Sequence, residues 1–201
     1  MPFFVDNSLI IGIDLAGSPR RPTGICCFQE RVVSTSVLYE NSEILSLVDK
    51  KQPVLVAVDA PLSLPPGRRS INERTKTHLR TCDEELRRLG IPFFPITLGP
   101  MRCLTERGIW LRRRVEARGI KIIETYPGGA QDVWRLPRAR RDLAGLRRGL
   151  QRLGLKGLPR KATADELDAA TAALVGYYFL LGKVQLLGNE KEGMIVLPAW
   201  L

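Results

Sequence analysis

The sequence predicts an α/β fold: a mixed five-stranded sheet with helices on both faces and a basic helical insertion at about 65–119. Three observations carry this. An opening apolar run is followed by two β-branched runs separated only by a turn, the pattern of adjacent antiparallel strands. Two later apolar runs, at 53–62 and 120–129, are each reached through helical sequence, the pattern of parallel crossover strands buried on both faces. The stretch between those two is rich in Arg, Pro and Gly and interrupts the alternation. A chain of 201 residues suits one such domain, spanning 1–201.

The elements follow in order. SLIIGIDL (8–15) reads as a buried strand that ends at Asp14, before the turn AGSPRRPTG. TGICCFQ (23–29) and RVVSTSVL (31–38) are strands joined by a tight turn at Glu30. NSEILSLVDKK (41–51) opens on cap-forming Asn and Ser and reads as a short helix. PVLVAVDAPL (53–62) is nearly all apolar, so it is central; Pro61 cannot donate to a ladder and ends it just after Asp59. Within the insertion, 71–90 and 101–119 are expected as helices, joined by IPFFPITLGP. IKIIETYPGG (120–129) is a strand ending near Glu124, with Gly128-Gly129 as a turn. Residues 138–155 form a basic amphipathic helix, 164–182 an apolar helix, and VQLLGNEKEGMIVLP (184–198) a terminal hairpin.

The net charge is +10, unevenly spread. Residues 68–161 hold 24 of the 31 basic residues and 9 of the 21 acidic ones, a local balance of +15 against −5 elsewhere. Most of the cations are Arg, whose planar fork suits phosphate. Arg112, Arg113, Arg140 and Arg141 are the candidate nucleic-acid contacts. Arg80 stands at pairing distance from Asp83 on a helix, and in a lid it would instead meet a phosphate. The competing explanation of this charge is an Arg-rich set of solvated helices.

Cys26, Cys27, Cys82 and Cys103 show no CxxC spacing, so reduced thiols and a cytoplasmic protein are expected. Cys26 and Cys27 are adjacent in a strand and point to opposite faces. The start, MPFFVDNSLIIGIDL, shows no basic leader, with Asp6 and Asp14 bracketing its apolar run. The longest uncharged stretch, 169–182, is too short for a spanning helix, and no membrane partner is expected. His78, the single histidine, sits in a polar segment and is expected at the surface; Trp110 and Trp134 are expected in the core.

The acids fall at element boundaries. Asp14, Asp59 and Glu124 end three strands, and Asp165, Glu166 and Asp168 open the late helix. Thr163 and Glu166 fit a capping box, and helix-dipole attraction covers Asp165. Neither covers Asp168, one turn later at the edge of the apolar segment, which needs an Arg, a backbone donor or a metal ion. Carboxylates gathered at the carboxyl edge of a sheet favour a hard divalent ion, Mg²⁺ or Mn²⁺. Two such ions could activate water and stabilise the leaving oxygen of a phosphodiester.

The motifs IIGIDLAGS, TGICCF, VAVDAPL, IETYPGG and DELDAATAAL, in this order over roughly residues 9–182, resemble a family of predicted RNase H-like nucleases related to the RuvC-type resolvases. The resemblance implies an RNase H-like sheet and a metal-dependent nuclease centre. Asp14, Asp59 and Asp168 match its metal ligands, Asp165 neighbours the last, and Glu124 matches the Glu-Tyr-Pro position. The acid typical of the first helix in ribonuclease H has no clear counterpart; Glu43 is the nearest. The expected function is therefore metal-dependent hydrolysis of DNA or RNA, with a homodimer possible. Two alternatives stand beside it. One is an actin-like ATP-binding or kinase half, which shares this type of sheet but normally needs two domains. The other is a nucleic-acid-binding module that does not cut.

Overall fold

In the computed structural model, which describes residues 7–199, the sheet is built around β1 (Ile10–Asp14). β2 (Thr23–Gln29) and β3 (Val32–Leu38) extend it antiparallel on one side. On the other side β4 (Leu55–Asp59) and β5 (Lys121–Thr125) add in parallel. Asp6 lies outside the described residues. The mixed α/β class expected from the sequence is present.

The strand count is corrected from five to seven. The terminal segments β6 (Val184–Asn189) and β7 (Gly193–Pro198) form the expected hairpin, but β7 joins β5 in parallel, giving the order β3-β2-β1-β4-β5-β7-β6. The reason is burial: Ile195, Val196 and Leu197 all reach the core by continuing the sheet past β5.

Helices cover both faces. One core layer joins Ile11, Ile13, Val56 and Val58 to α1 (Asn41–Lys51) and to α3 (Gly99–Glu116), which brings Leu111 and Val115. The opposite layer joins Ile10, Leu55 and Ala57 to four helices: α2 (Thr81–Arg88), α4 (Pro127–Val133), α5 (Leu143–Arg152) and α6 (Ala164–Leu180). Cys26 packs in this second layer and Cys27 against the first, as their alternation requires. All four cysteines are free thiols.

Three helical expectations are corrected. Helix 71–90 forms only from Thr81; the polar run before it is a loop gathered by Arg68, whose guanidinium donates to the carbonyls of Ile71, Glu73, Thr75 and Thr77. The strand begun at 120 ends at Thr125, close to Glu124 as expected, but Gly128-Gly129 lie in α4 rather than in a turn, because Pro127 suits the first turn of a helix. The basic helix starts at Leu143, where Asp142 caps the Gly145 amide at 2.8 Å; residues 138–142 form a turn instead.

Helix α6 is the positioning element. Its core-facing stripe is Ala169, Ala170, Ala172, Ala173 and Gly176, small enough for backbone contact with the sheet. Gly12 and Gly24 complete the approach. A Cβ on Gly12 would lie 2.1 Å from the Ala169 carbonyl oxygen, and one on Gly24 would lie 2.0 Å from that of Asp165. The expected capping box is present: Thr163 Oγ1 accepts from the Glu166 amide at 3.2 Å, and Glu166 Oε2 accepts from the Thr163 amide at 2.9 Å.

Candidate active site: an acidic cleft with an arginine rim

Asp14 and Asp59 end neighbouring parallel strands and stand in register with each other. This follows from the sequence: each closes a five-residue apolar strand, and the ladder stops soon after each, at the turn AGS beyond Leu15 in one case and at Pro61 in the other. Helix α6 crosses above them and adds Asp165 and Asp168 from its first two turns. All four acids line one cleft of about 530 Å³.

The electrostatics of the cleft are those of crowded, partly dehydrated carboxylates. Burial holds Asp14 well above the usual carboxylate range, and repulsion from Asp168 and Asp165 adds to it. Burial does the same to Asp59, reinforced by Asp14, Asp168 and Glu124. Asp168 is pushed up to about 6, chiefly by burial, while a hydrogen bond from Gln131 and the charges of Arg140 and Arg138 pull the other way. Asp165 is raised by burial and eased by Arg140 and Arg21. Perturbed carboxylates in a cleft mark a candidate functional site.

Asp168 finds a partner that the sequence reading did not foresee. Gln131 Nε2 donates to its Oδ1 at 2.6 Å and reaches Thr171 Oγ1 at 3.3 Å. Gln131 was hidden because Gly128-Gly129 read as a turn and the residues after it were assigned to no element, whereas 127–133 is a buried helix. Arg138 was also missed, although the basic run at 138–141 was visible. It pairs with Asp132 and donates to Tyr126 Oη at 3.2 Å, on the wall of the same cleft.

Glu124 is placed differently from the other acids. It is buried, with Arg80 Nη1 at 2.7 Å from one oxygen and Nη2 at 2.8 Å from the other, and it also accepts from the Leu62 amide at 2.8 Å. Arg80 is 1 % exposed. Its remaining donors reach Asp83 and Ser63, so all five N–H groups of the guanidinium are used inside the protein. The expectation of Arg80 at a phosphate is therefore corrected: no donor is left for one.

The other basic candidates divide. Arg140 and Arg141 are exposed and line the cleft. Arg112 pairs with Glu116 at 2.8 Å and Arg113 is exposed on α3; neither is among the cleft-lining residues. Glu43 caps α1, accepting from the Glu40 amide at 2.8 Å, which accounts for it structurally. His78 is exposed beside Thr97, and Trp134 is buried, both as expected; Trp110 packs partly into the core under Arg114.

The donor chemistry of the cleft fits a hard divalent cation, since dehydrated carboxylates that repel one another are relieved either by protons or by a metal. Asp14, Asp59, Asp168 and Asp165 are the residues that could hold one. Among the described residues, no three His, Cys, Asp or Glu side chains form a ready-made ligand group, so no closed shell exists ahead of the ion. Among the described residues, too, no helix is long and apolar enough to cross a membrane.

Comparison with known proteins gives a family and distant structural likenesses. The solved structure of Thermus thermophilus RuvC superposes over 87% of this chain and 96% of its own, at a TM-score of 0.45 and 15% identity. No curated protein matches the chain. A family model described as "Protein of unknown function (DUF429)" matches residues 12–192, which takes in every carboxylate of the cleft, and the chain belongs to that family.

Proposed function

We propose that this chain is a divalent-metal-dependent nuclease with an RNase H-like catalytic sheet, hydrolysing phosphodiester bonds of nucleic acid. The observation that carries the reading is the register pairing of Asp14 with Asp59 at the carboxyl ends of two parallel strands, with Asp168 brought to the same cleft by α6. Three dehydrated carboxylates that raise one another's pKa are costly to assemble without a cation to hold.

Asp14, Asp59 and Asp168 would hold Mg²⁺ or Mn²⁺, with Asp165 next to them. When bound, such a cation supplies charge neutralisation at the scissile phosphate and a water of lowered pKa. The chain's own residues do the rest. Gln131 fixes one oxygen of Asp168 and so limits the rotamers open to it. Arg138 and Arg140 place positive charge near the carboxylates and favour their ionised forms. Arg140 and Arg141 at the rim offer exposed cations to a phosphate backbone.

Calorimetric titration of Mn²⁺ into the wild type and into Asp168→Asn tests the site, and cleavage of labelled DNA and RNA by the wild type and Asp14→Asn tests the reaction. Binding by the wild type, its loss in Asp168→Asn, and a drop in cleavage of orders of magnitude in Asp14→Asn with folding intact are expected. Full cleavage by both variants would remove the proposal. Equal oligonucleotide binding by wild type and Asp14→Asn, with no cleavage by either, would favour the binding module.

A further inference from the structure

The lip of the cleft carries an aromatic side chain that the fold does not use. Phe94 is 72% exposed, the most exposed of the large apolar residues described, and it lines the same cleft as Asp14, Asp59 and Asp168. It is held out by a fixed segment. Pro92 and Pro95 flank the Phe93-Phe94 pair and restrict its backbone. Ile91 and Ile96 on either side are buried, and Phe93 packs against the core. Tyr126 Oη donates to the Pro92 carbonyl at 2.5 Å and accepts from Arg138, which ties the segment to the cleft wall. The Leu98 amide closes a turn onto the Pro95 carbonyl at 3.0 Å.

Facing the same space are Arg140 and Arg141, which have no ion-pair partner among the described residues. An exposed ring on a proline-flanked segment, two exposed guanidinium groups and a carboxylate floor together describe the parts of one nucleotide: base, phosphate and scissile ester. The size agrees. A cleft of about 530 Å³ falls in the range of sites that enclose a small ligand, the scale of a single nucleotide. Stacking on an aromatic ring is tolerant of base identity and is how single strands are held without sequence reading.

We infer that Phe94 is a base-stacking platform and that the cleft takes single-stranded nucleic acid, with a base on Phe94 and the adjoining backbone on Arg140 and Arg141. The inference rests on the nuclease reading for its substrate class, but it concerns binding alone. Trp110 and Trp134 do not offer an alternative platform, since the fold uses both in packing.

The test is fluorescence anisotropy with a labelled 12-nucleotide single strand, DNA and RNA, and with the matching blunt duplex, in EDTA so that no cleavage occurs. The wild type, Phe94→Ala, Phe94→Tyr and the double variant Arg140→Ser/Arg141→Ser are compared, each checked for folding by circular dichroism. The single strand is expected to bind more tightly than the duplex. Phe94→Ala should weaken it about ten-fold, from the usual worth of one stacked base, while Phe94→Tyr stays near wild type. The double Arg variant should flatten the salt dependence. Equal affinity of wild type and Phe94→Ala would overturn the platform. Tighter binding of the duplex, or binding of a free mononucleotide with none of the strand, would overturn the assignment of substrate. Because EDTA removes the metal, loss of Mn²⁺ binding or of cleavage would sink the nuclease reading while leaving this measurement intact.

Discussion

Arg80 and Glu124 form a two-pronged ion pair, with Nη1 2.7 Å and Nη2 2.8 Å from the two carboxylate oxygens. The pair is buried, and Asp83 takes the other edge of the same guanidinium at 2.8 Å and 3.1 Å. Through the Leu62 amide, Glu124 also holds the chain three residues after Asp59. The first residues of α2 are thereby locked to the strand that carries a cleft carboxylate.

Loss of Arg80 leaves two buried carboxylates facing each other with no cation between them. Arg80→Met is expected to lower stability by about 3–5 kcal/mol, the usual cost of breaking a buried pair from one side. Arg80→Lys should recover only part of this, because an ammonium cannot form both forks. Urea denaturation reads both, and a loss below about 1 kcal/mol for Arg80→Met would show that the cluster contributes little.

Backbone contact between α6 and the sheet makes a second prediction. At Gly12 an added Cβ would meet the Ala169 carbonyl oxygen at 2.1 Å and the Ala173 amide nitrogen at 2.6 Å, and neither can turn aside as a side chain would. Gly12→Ala should therefore push α6 outward, cost about 2 kcal/mol or more, and weaken Mn²⁺ binding by displacing Asp168. Gly99→Ala is the control: a Cβ there meets nothing within 4 Å, and stability should change by about 0.5 kcal/mol or less. Equal behaviour of the two variants in thermal melts would contradict the close-packing account.

Why some of this was legible and some not comes down to range. Asp14 and Asp59 could be read because a continuous apolar strand that ends in an acid is a local pattern, and parallel register then sets the two side by side. Asp168 stood out because capping could not explain it. Gln131 could not be found the same way: a neutral amide in a Gly-Pro segment carries no signal until 127–133 folds as a helix and meets α6. The pairing of Arg80 with Asp83 was legible because the two stand three residues apart, but its other acceptors, Ser63 and Glu124, lie 17 and 44 residues away and leave no local trace, so a phosphate stood in their place. The two terminal strands were expected, but their joining of the sheet was not, because a terminal hairpin looks the same alone or docked on a sheet edge.

The raised carboxylates set a pH dependence in metal-free protein. Asp168, at about 6 in the fold against 3.8 ordinarily, keeps its proton where the unfolded chain has lost it. Folding thus takes up protons between about pH 4 and 6, and stability falls as pH rises through that window. Asp14 and Asp59 are shifted in the same direction. Asp168→Asn keeps an acceptor oxygen for Gln131 but removes the ionisation penalty. In EDTA at pH 7.5 it should be more stable than the wild type, by up to roughly 3 kcal/mol from the size of the shift. The gap should close towards pH 4. A wild type that is the more stable of the two at pH 7.5 would mean that the cleft favours the ionised carboxylate.

Gln131 gives the sharpest separation of positioning from packing. Its Nε2 lies 2.6 Å from Asp168 Oδ1, and this hydrogen bond is the largest influence holding the Asp168 pKa down against burial. Gln131→Leu preserves volume and leaves Asp168 without the donor, so the Asp168 carboxyl should titrate above about 6, followed through its carboxyl carbon shift by NMR. At neutral pH the variant should lose about 1–3 kcal/mol, the cost of leaving a buried acceptor unsatisfied, and the loss should shrink as acid protonates Asp168. Gln131→Glu adds another carboxylate to the cleft, which should raise Asp168 further still in metal-free protein, and added Mn²⁺ should bring it down again by offsetting the charge. If Asp168 titrates unchanged in Gln131→Leu, the hydrogen bond does not govern its charge, and the amide serves packing alone.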